Sequence, residues 1–296
     1  MMQRRTDLAL EAHELWRGTG ASDSLSGVSS CMRRRFGYDT TVVNVKTPAA
    51  AQALGKPEGT YVTLDLRPYW KHPADALERA ASAVGAELRA LLGETVNTIL
   101  VACLGNGAMT PDAVGPQVAE HILVTRHLRH RKAFAELTAV SVLVPGVLGR
   151  TGMEAVETIR GAVRTVRPDV LIAVDALASR SLGRVCATVQ LSDTGIVPGS
   201  GVGNSRRALD RTSLGIPVIA VGIPTVVDAA TLALDILEET GAESVDPAAL
   251  REHGADVMVT PRDIDAQIRE LSRVVGYGIN LALQPLDYAE LCALMG

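Results

Sequence analysis

The stretch LTAVSVLVPGVLGRTGMEAVETIRGAVRTVRPDVLIAVDALASR, Leu137–Arg180, decides how the fold is read. Its first part, LTAVSVLVPG, is a short apolar run of the kind that forms a buried strand. GMEAVETIRGAVRTVRP reads as a helix, and DVLIAVDALA reads as a second strand. Working upstream, TILVACLG (98–105) is another buried strand, and PDAVGPQVAEHILVTRHL (111–128) reads as a helix opened by Pro111. Downstream, RVCATVQLSDTG and IPVIAVGIP read as strands, TVVDAATLALDILEET as a helix, and about 261–283 as a last helix after the turn-like VMVTPRD. Strands alternating with helices of this length predict an α/β fold, an open and mostly parallel sheet with helices on both faces. Nearer the start, YDTTVVNVKT and TYVTLDLRP look like strands, and residues 74–93 look like a helix that ends on Gly93.

No repeat, low-complexity tract or linker divides the 296 residues, so a single domain over 1–296 is expected, with 1–50 as a decorated N-terminal segment. Aromatic residues make up only 3%, which leaves the core to Val, Leu, Ile and Ala. A net charge of −4 supplies no broad basic field for direct nucleic-acid binding. The Arg33-Arg34-Arg35 run reads as a solvated face. The four cysteines have no Cys-x-x-Cys spacing, and the six histidines have no metal-ligand spacing. No segment reaches the roughly 20 apolar residues of a membrane helix, so the expected address is the cytoplasm.

Ligands of such sheets bind beyond the carboxyl ends of the strands, which directs attention to polar residues just after apolar runs. Two carboxylates stand out. Asp112 follows the strand ending at Leu104 and a Gly-Asn-Gly loop; it reads equally as a helix-stabilising acid in a first turn. Asp175 is expected to end a strand whose residues from Val170 on are all apolar, where a carboxylate is costly without a partner or a task. The plainer reading of Asp175 is a cap or an ion pair with Arg180. If the two acids share a rim they can share a proton, one serving as base and the other as acid. Beyond them, LSDTGIVPGSGVGNSRRALD (191–210) offers a glycine-rich loop with Gly199, Gly201 and Gly203, then Asn204, Arg206 and Arg207. It lacks a phosphate-loop lysine and reads better as a substrate-binding loop. Asp193 is a third acidic candidate; Asp-Thr-Gly also occurs at the catalytic turn of pepsin-like proteases, but those are all-β.

Several segments together resemble the germination proteases of spore-forming bacteria. They are RTDLALEA, TPDAVGP with the TRHL that follows, VPGVLGRTGMEA, RPDVLIAVDALASRS, ATVQLSDTGIVPGSGVGN, LGIPVIAVGIPTVVDA and VMVTPRDID, in that order along the chain. The resemblance implies an atypical aspartic-type endopeptidase that degrades the small acid-soluble proteins coating spore DNA. It implies a fold similar to hydrogenase-maturation proteases, a homotetramer, a spore-core location and no cofactor. It places the catalytic acids on Asp112 and Asp175. It also implies a zymogen that trims itself within RTDLALE, making Asp7 and Leu8 the candidate cut and residues 1–7 a short propeptide. Arg180, Arg184, Arg206 or Arg207 are then candidates to hold an acidic side chain of that segment, and Asp193 with the glycine loop to bind substrate. A plainer reading makes Leu8, Leu10 and Leu15 one side of a helix packed on the body. The chain departs from the family in a short link before VMVTP and a short leader. Two other functions stay open: a maturation-type peptidase using both acids as metal ligands, and a phosphate or nucleotide module built on Gly199–Gly203.

Overall fold

The computed structural model describes residues 5–18, 25–93, 96–200, 203, 206–240 and 257–295. After helix α1 (Ala9–Gly18) come strands β1 (Val28–Arg35) and β2 (Tyr38–Val45), helix α2 (Pro48–Leu54), β3 (Gly59–Asp65) and α3 (Ala76–Leu92). Next are β4 (Thr98–Cys103), α4 (Val114–Ala119), β5 (Ala139–Leu143), the single turn α5 (Leu148–Thr151) and α6 (Ala155–Val166). Then follow β6 (Val170–Ser179), β7 (Thr188–Ser192), α7 (Arg211–Leu214), β8 (Val218–Asp228) and α8 (Ala229–Thr240). The chain closes with β9 (Met258–Val259), α9 (Ile264–Leu283) and α10 (Tyr288–Met295).

All the described strands join one sheet, ordered β1-β2-β3-β7-β8-β6-β4-β5, with β9 beside the end of β8. The α/β expectation holds, and the sheet has two halves. β8, β6, β4 and β5 are parallel, while β1, β2, β3, β7 and β8 pair antiparallel in succession. Chain connections explain the split. The β1–β2 hairpin turns at Phe36 and Gly37, both at positive φ, the two-residue geometry that suits strand twist. The short link from β6 to β7 is less than the dozen or so residues that a parallel crossover needs.

Side chains of the central strands alternate between two apolar layers. Ile99, Val101, Cys103, Val170, Ile172 and Val174 face α3, α4 and α9. Leu100, Ala102, Leu171 and Ala173 face α6 through Val156, Ile159 and Val163. On the antiparallel half, Val43, Val45 and Tyr61 are covered by α1 and α2. α1 is thus a helix packed on the body, with Leu8 and Ala9 fully buried at its start.

Three elements differ from the sequence reading. The helix expected over 111–128 is a 3-10 turn, Thr110–Asp112, followed by the short α4. Tertiary partners take its backbone groups: Asn280 of α9 donates to the His121 carbonyl and accepts from Leu123 N–H, and Thr125 N–H donates to Val140 of β5. TVVD, read as helix, continues β8, because β-branched Val226 and Val227 pair with Ala178 and Ser179 of β6. The Arg33 region is strand β1, and Arg33 Nε donates at 3.1 Å to Glu87 of α3, whose carboxylate is buried, so this arginine is no solvated face.

Candidate active site

Asp175 sits in the parallel half of the sheet, inside β6 and not at its end, because pairing with β8 carries the strand on to Ser179; Gly222 of β8 is its register partner and Gln190 of β7 lies beyond. These three positions share one row and one face of the sheet, and the glycine between leaves the row without a central Cβ. Asp175 is 5% exposed. Its carboxyl accepts from Ala176 N–H at 2.9 Å. Burial first, then the charge of Asp112 and of Asp7, hold its pKa well above the usual carboxylate range.

Asp112 reaches the same cleft from the loop after β4. The chain leaves β4 at Leu104 and turns at Gly105, whose φ of 109° excludes other residues; a Cβ there would strike the Asp112 backbone. Asn106 N–H donates both to the Asp112 carbonyl (3.0 Å) and to its Oδ2 (2.9 Å). The Thr225 hydroxyl of β8 donates to the Pro111 carbonyl at 2.7 Å. The turn is therefore closed on itself through Asn106 and pinned to β8 through Thr225. Burial raises the Asp112 pKa and the Asn106 hydrogen bond opposes that rise.

The two acids line one cleft of about 470 Å³, together with Asp7, Leu177, Gly199 and Arg206. Asp7 enters from the segment before α1 and adds itself to the edge of β6. Its N–H donates to the Ala178 carbonyl at 2.9 Å, and its Oδ2 accepts from Ala178 N–H at 2.8 Å. Its Oδ1 accepts from the Ser200 hydroxyl at 2.7 Å. The segment is anchored further by Glu11 of α1, whose buried carboxylate accepts from Arg180 N–H (2.6 Å), Ser181 N–H (3.1 Å) and Arg184 Nη1 (3.1 Å).

Three of the four arginines expected around an acidic side chain pair elsewhere than on Asp7. Arg180 pairs with Asp235 of α8, Arg184 with Glu11 and Glu14, and Arg206 with Glu154 at 3.8 Å. Arg184 does hold an acid of the N-terminal segment, but it is Glu11. Asp175 makes no pair with Arg180. Asp193 is a framework residue: its Oδ1 accepts from Thr60 N–H at 2.7 Å, fastening β3 to the end of β7. Gly199, at φ 73°, lies in the cleft wall, and Gly203, at φ 74°, lies against the Arg5 guanidinium. Gly201 and Asn204 fall outside the described residues. Among the described residues no three His, Cys, Asp or Glu side chains gather as a metal-binding group.

Sequence reasoning passed over Lys56, Gln190 and Ser200, which all contact Asp7. Gln190 had a visible signal. Thr188, Gln190 and Ser192 alternate with Val189 and Leu191, so a polar set faces one side of a buried strand. Lys56 had none, since Gly55-Lys56-Pro57 reads as an ordinary turn after α2.

The chain matches the family model described as germination protease over residues 9–247. A germination protease of Caldanaerobacter subterraneus is 40% identical, covering 95% of this chain and 94% of the relative. One from Clostridium acetobutylicum is 37% identical, covering 97% of each. Among solved structures, the [NiFe] hydrogenase maturation protease HycI of Thermococcus kodakarensis matches 65% of this chain and 98% of its own, with a TM-score of 0.36 and 16% identity.

Proposed function

This chain belongs to the germination protease family and is an endopeptidase, and we propose that it begins the degradation of small acid-soluble spore proteins, with Asp112 and Asp175 as the pair that activates water. The observation that carries the reading is the convergence of two carboxyls, from a loop after β4 and from β6, on one cleft. Both have raised pKa values, and that of Asp175 is raised in part by the charge of Asp112. A pair whose environments push the two values apart assigns the roles. Asp175, the more deeply buried, keeps its proton and is the acid; Asp112, held by Asn106 N–H, is the base.

In the proposed reaction Asp112 takes a proton from water as the water oxygen bonds to the peptide carbon. Asp175 gives its proton to the leaving nitrogen as the C–N bond breaks. The proton on Asp112 then passes to Asp175 to restore the pair. The same reading makes the Asp7–Leu8 bond a self-processing site, supported by the placement of Asp7 on the wall of the cleft. The homotetramer expected from the resemblance belongs to this proposal too, and light scattering at the mass of four chains tests it.

The main test is cleavage of a small acid-soluble spore protein by wild type, Asp112→Asn and Asp175→Asn. Each substitution is expected to lower kcat by at least about 10²-fold, the usual worth of a positioned acid or base. The pH profile of wild-type kcat/KM should be a bell displaced above the ordinary carboxylate range. Activity falls as pH drops through the raised Asp112 value, because the base is protonated. It falls again as pH rises through the higher Asp175 value, because the acid is lost. The two limbs belong to the pair as a unit. Near-normal turnover by either variant removes that residue from its role, and inhibition by a chelator reversed by a divalent metal favours the metal-ligand reading instead.

A further inference from the structure

Lys56 and Gln190 have no part in the proposal above, yet they meet on one atom. Lys56 Nζ donates to the Asp7 carbonyl oxygen at 2.9 Å, and Gln190 Nε2 donates to the same oxygen at 3.1 Å. Nζ also reaches the Thr6 carbonyl at 3.1 Å, while Gln190 Oε1 accepts from Ala9 N–H at 2.7 Å. Together the two side chains clasp the backbone on either side of the Asp7–Leu8 bond. A lysine in a turn ordinarily extends its ammonium into water. This one lies in a cavity of about 570 Å³ with Asp7, Tyr61 and Gln190, and burial holds its pKa below the usual lysine value, opposed by Asp7 and Glu11.

Asp7 lines both this cavity and the cleft of Asp112 and Asp175. Its N–H, its carbonyl oxygen and both carboxylate oxygens are all held. The carbonyl carbon is therefore presented with its oxygen already fixed by two donors, one of them charged. Two fixed donors on one peptide oxygen are what negative charge developing on that oxygen requires. We infer that Lys56 and Gln190 form the oxyanion site of this peptidase, holding the carbonyl oxygen of the residue whose bond is cut. The inference rests on the reading that Asp112 and Asp175 activate water and that the bond after Asp7 is a substrate bond. As the water oxygen adds to the carbon and its proton goes to Asp112, the carbonyl π pair moves onto the oxygen held by Lys56 and Gln190. When that pair returns, the C–N bond breaks and the nitrogen takes the proton from Asp175.

The test compares full-length wild type, Asp112→Asn, Lys56→Met, Lys56→Arg and Gln190→Glu on a small acid-soluble spore protein. A second substrate is the peptide QRRTDLALEA, residues 3–12 of this chain. Gln190→Glu keeps the acceptor for Ala9 N–H and replaces the donor with a charge that repels the oxyanion. The expected result for Lys56→Met and Gln190→Glu is a fall in kcat of about 10²–10³-fold with KM changed by no more than about threefold. Lys56→Arg, which keeps a charged donor, should recover part of that loss, and melting temperatures should stay near wild type. The inference is overturned if folded Lys56→Met or Gln190→Glu keeps kcat within about fivefold of wild type, or loses only KM, while Asp112→Asn is inactive in the same assay. If Lys56→Met does not fold, Gln190→Glu decides by the same criteria. Wild type that cuts neither substrate overturns the carboxylate reading itself, and the oxyanion site with it.

Discussion

Asp175 occupies a strand position whose neighbours toward the N-terminus, Val170 to Val174, are all buried and apolar. Its folded-state pKa is raised, so the fold favours the neutral acid. That contribution to stability is fully present below the unfolded value of about 4 and is lost as pH rises through the folded value. Asparagine is neutral at every pH and keeps an oxygen for Ala176 N–H. Asp175→Asn is therefore expected to raise the melting temperature at pH 7 by at least about 2 °C, the effect of roughly 1 kcal/mol in a chain of this size. The gap should close as pH falls toward about 4. Thermal melts of both proteins from pH 4 to 8 check it, and a variant less stable than wild type at pH 7 contradicts a strained acid at this position. Asp175 was legible in the sequence because an acid directly after five apolar strand residues is costly to bury. The contacts of Asp7 were not, because Lys56, Gln190, Ala178 and Ser200 reach it from four separate parts of the chain.

At the scale of elements, glycines show which contacts position the site. In α4, Gly115 packs on the end of β4, where a Cβ would overlap the Leu104 backbone. In α6, Gly161 has open space around it and lies mid-helix on the exposed side. Gly161→Ala should stabilise the protein by about 0.5–1 kcal/mol through helix propensity alone, leaving kcat unchanged. Gly115→Ala should cost about 1–3 kcal/mol through overpacking and should also lower kcat, because α4 follows directly on the turn that carries Asp112. Denaturant titration with a parallel activity assay separates the two cases. α6 was legible because its apolar stripe faces a single layer of strands. α4 was over-read because residues 120–128 have a helical pattern, while Asn280 and Val140 claim their backbone groups from elsewhere in the chain.

Across the whole molecule, the cleft lies where the parallel strands meet the antiparallel half, and the N-terminal segment spans that seam. Glu11 is its main tie: removing the carboxylate leaves the N–H groups of Arg180 and Ser181 without their acceptor and Arg184 without one of its two acids. Glu11→Ala is expected to cost roughly 1–3 kcal/mol and to make residues 5–18 a target for an added protease. Limited proteolysis followed by mass mapping checks it, and an unchanged cleavage pattern would show that other contacts hold the segment. The sequence by itself determined the α/β class, the strands at 98–103, 139–143, 170–179 and 188–192, and the two acids that follow apolar runs. These follow from local period and from the cost of burying charge, both readable within a dozen residues. Only the tertiary structure decided the antiparallel half, the early end of α4 and the extension of β8. It alone placed Asp7 in the cleft on Lys56 and Gln190. Each of these depends on which distant backbone or side-chain groups satisfy a buried donor or acceptor, and that pairing is set by the packed sheet rather than by neighbours in the chain.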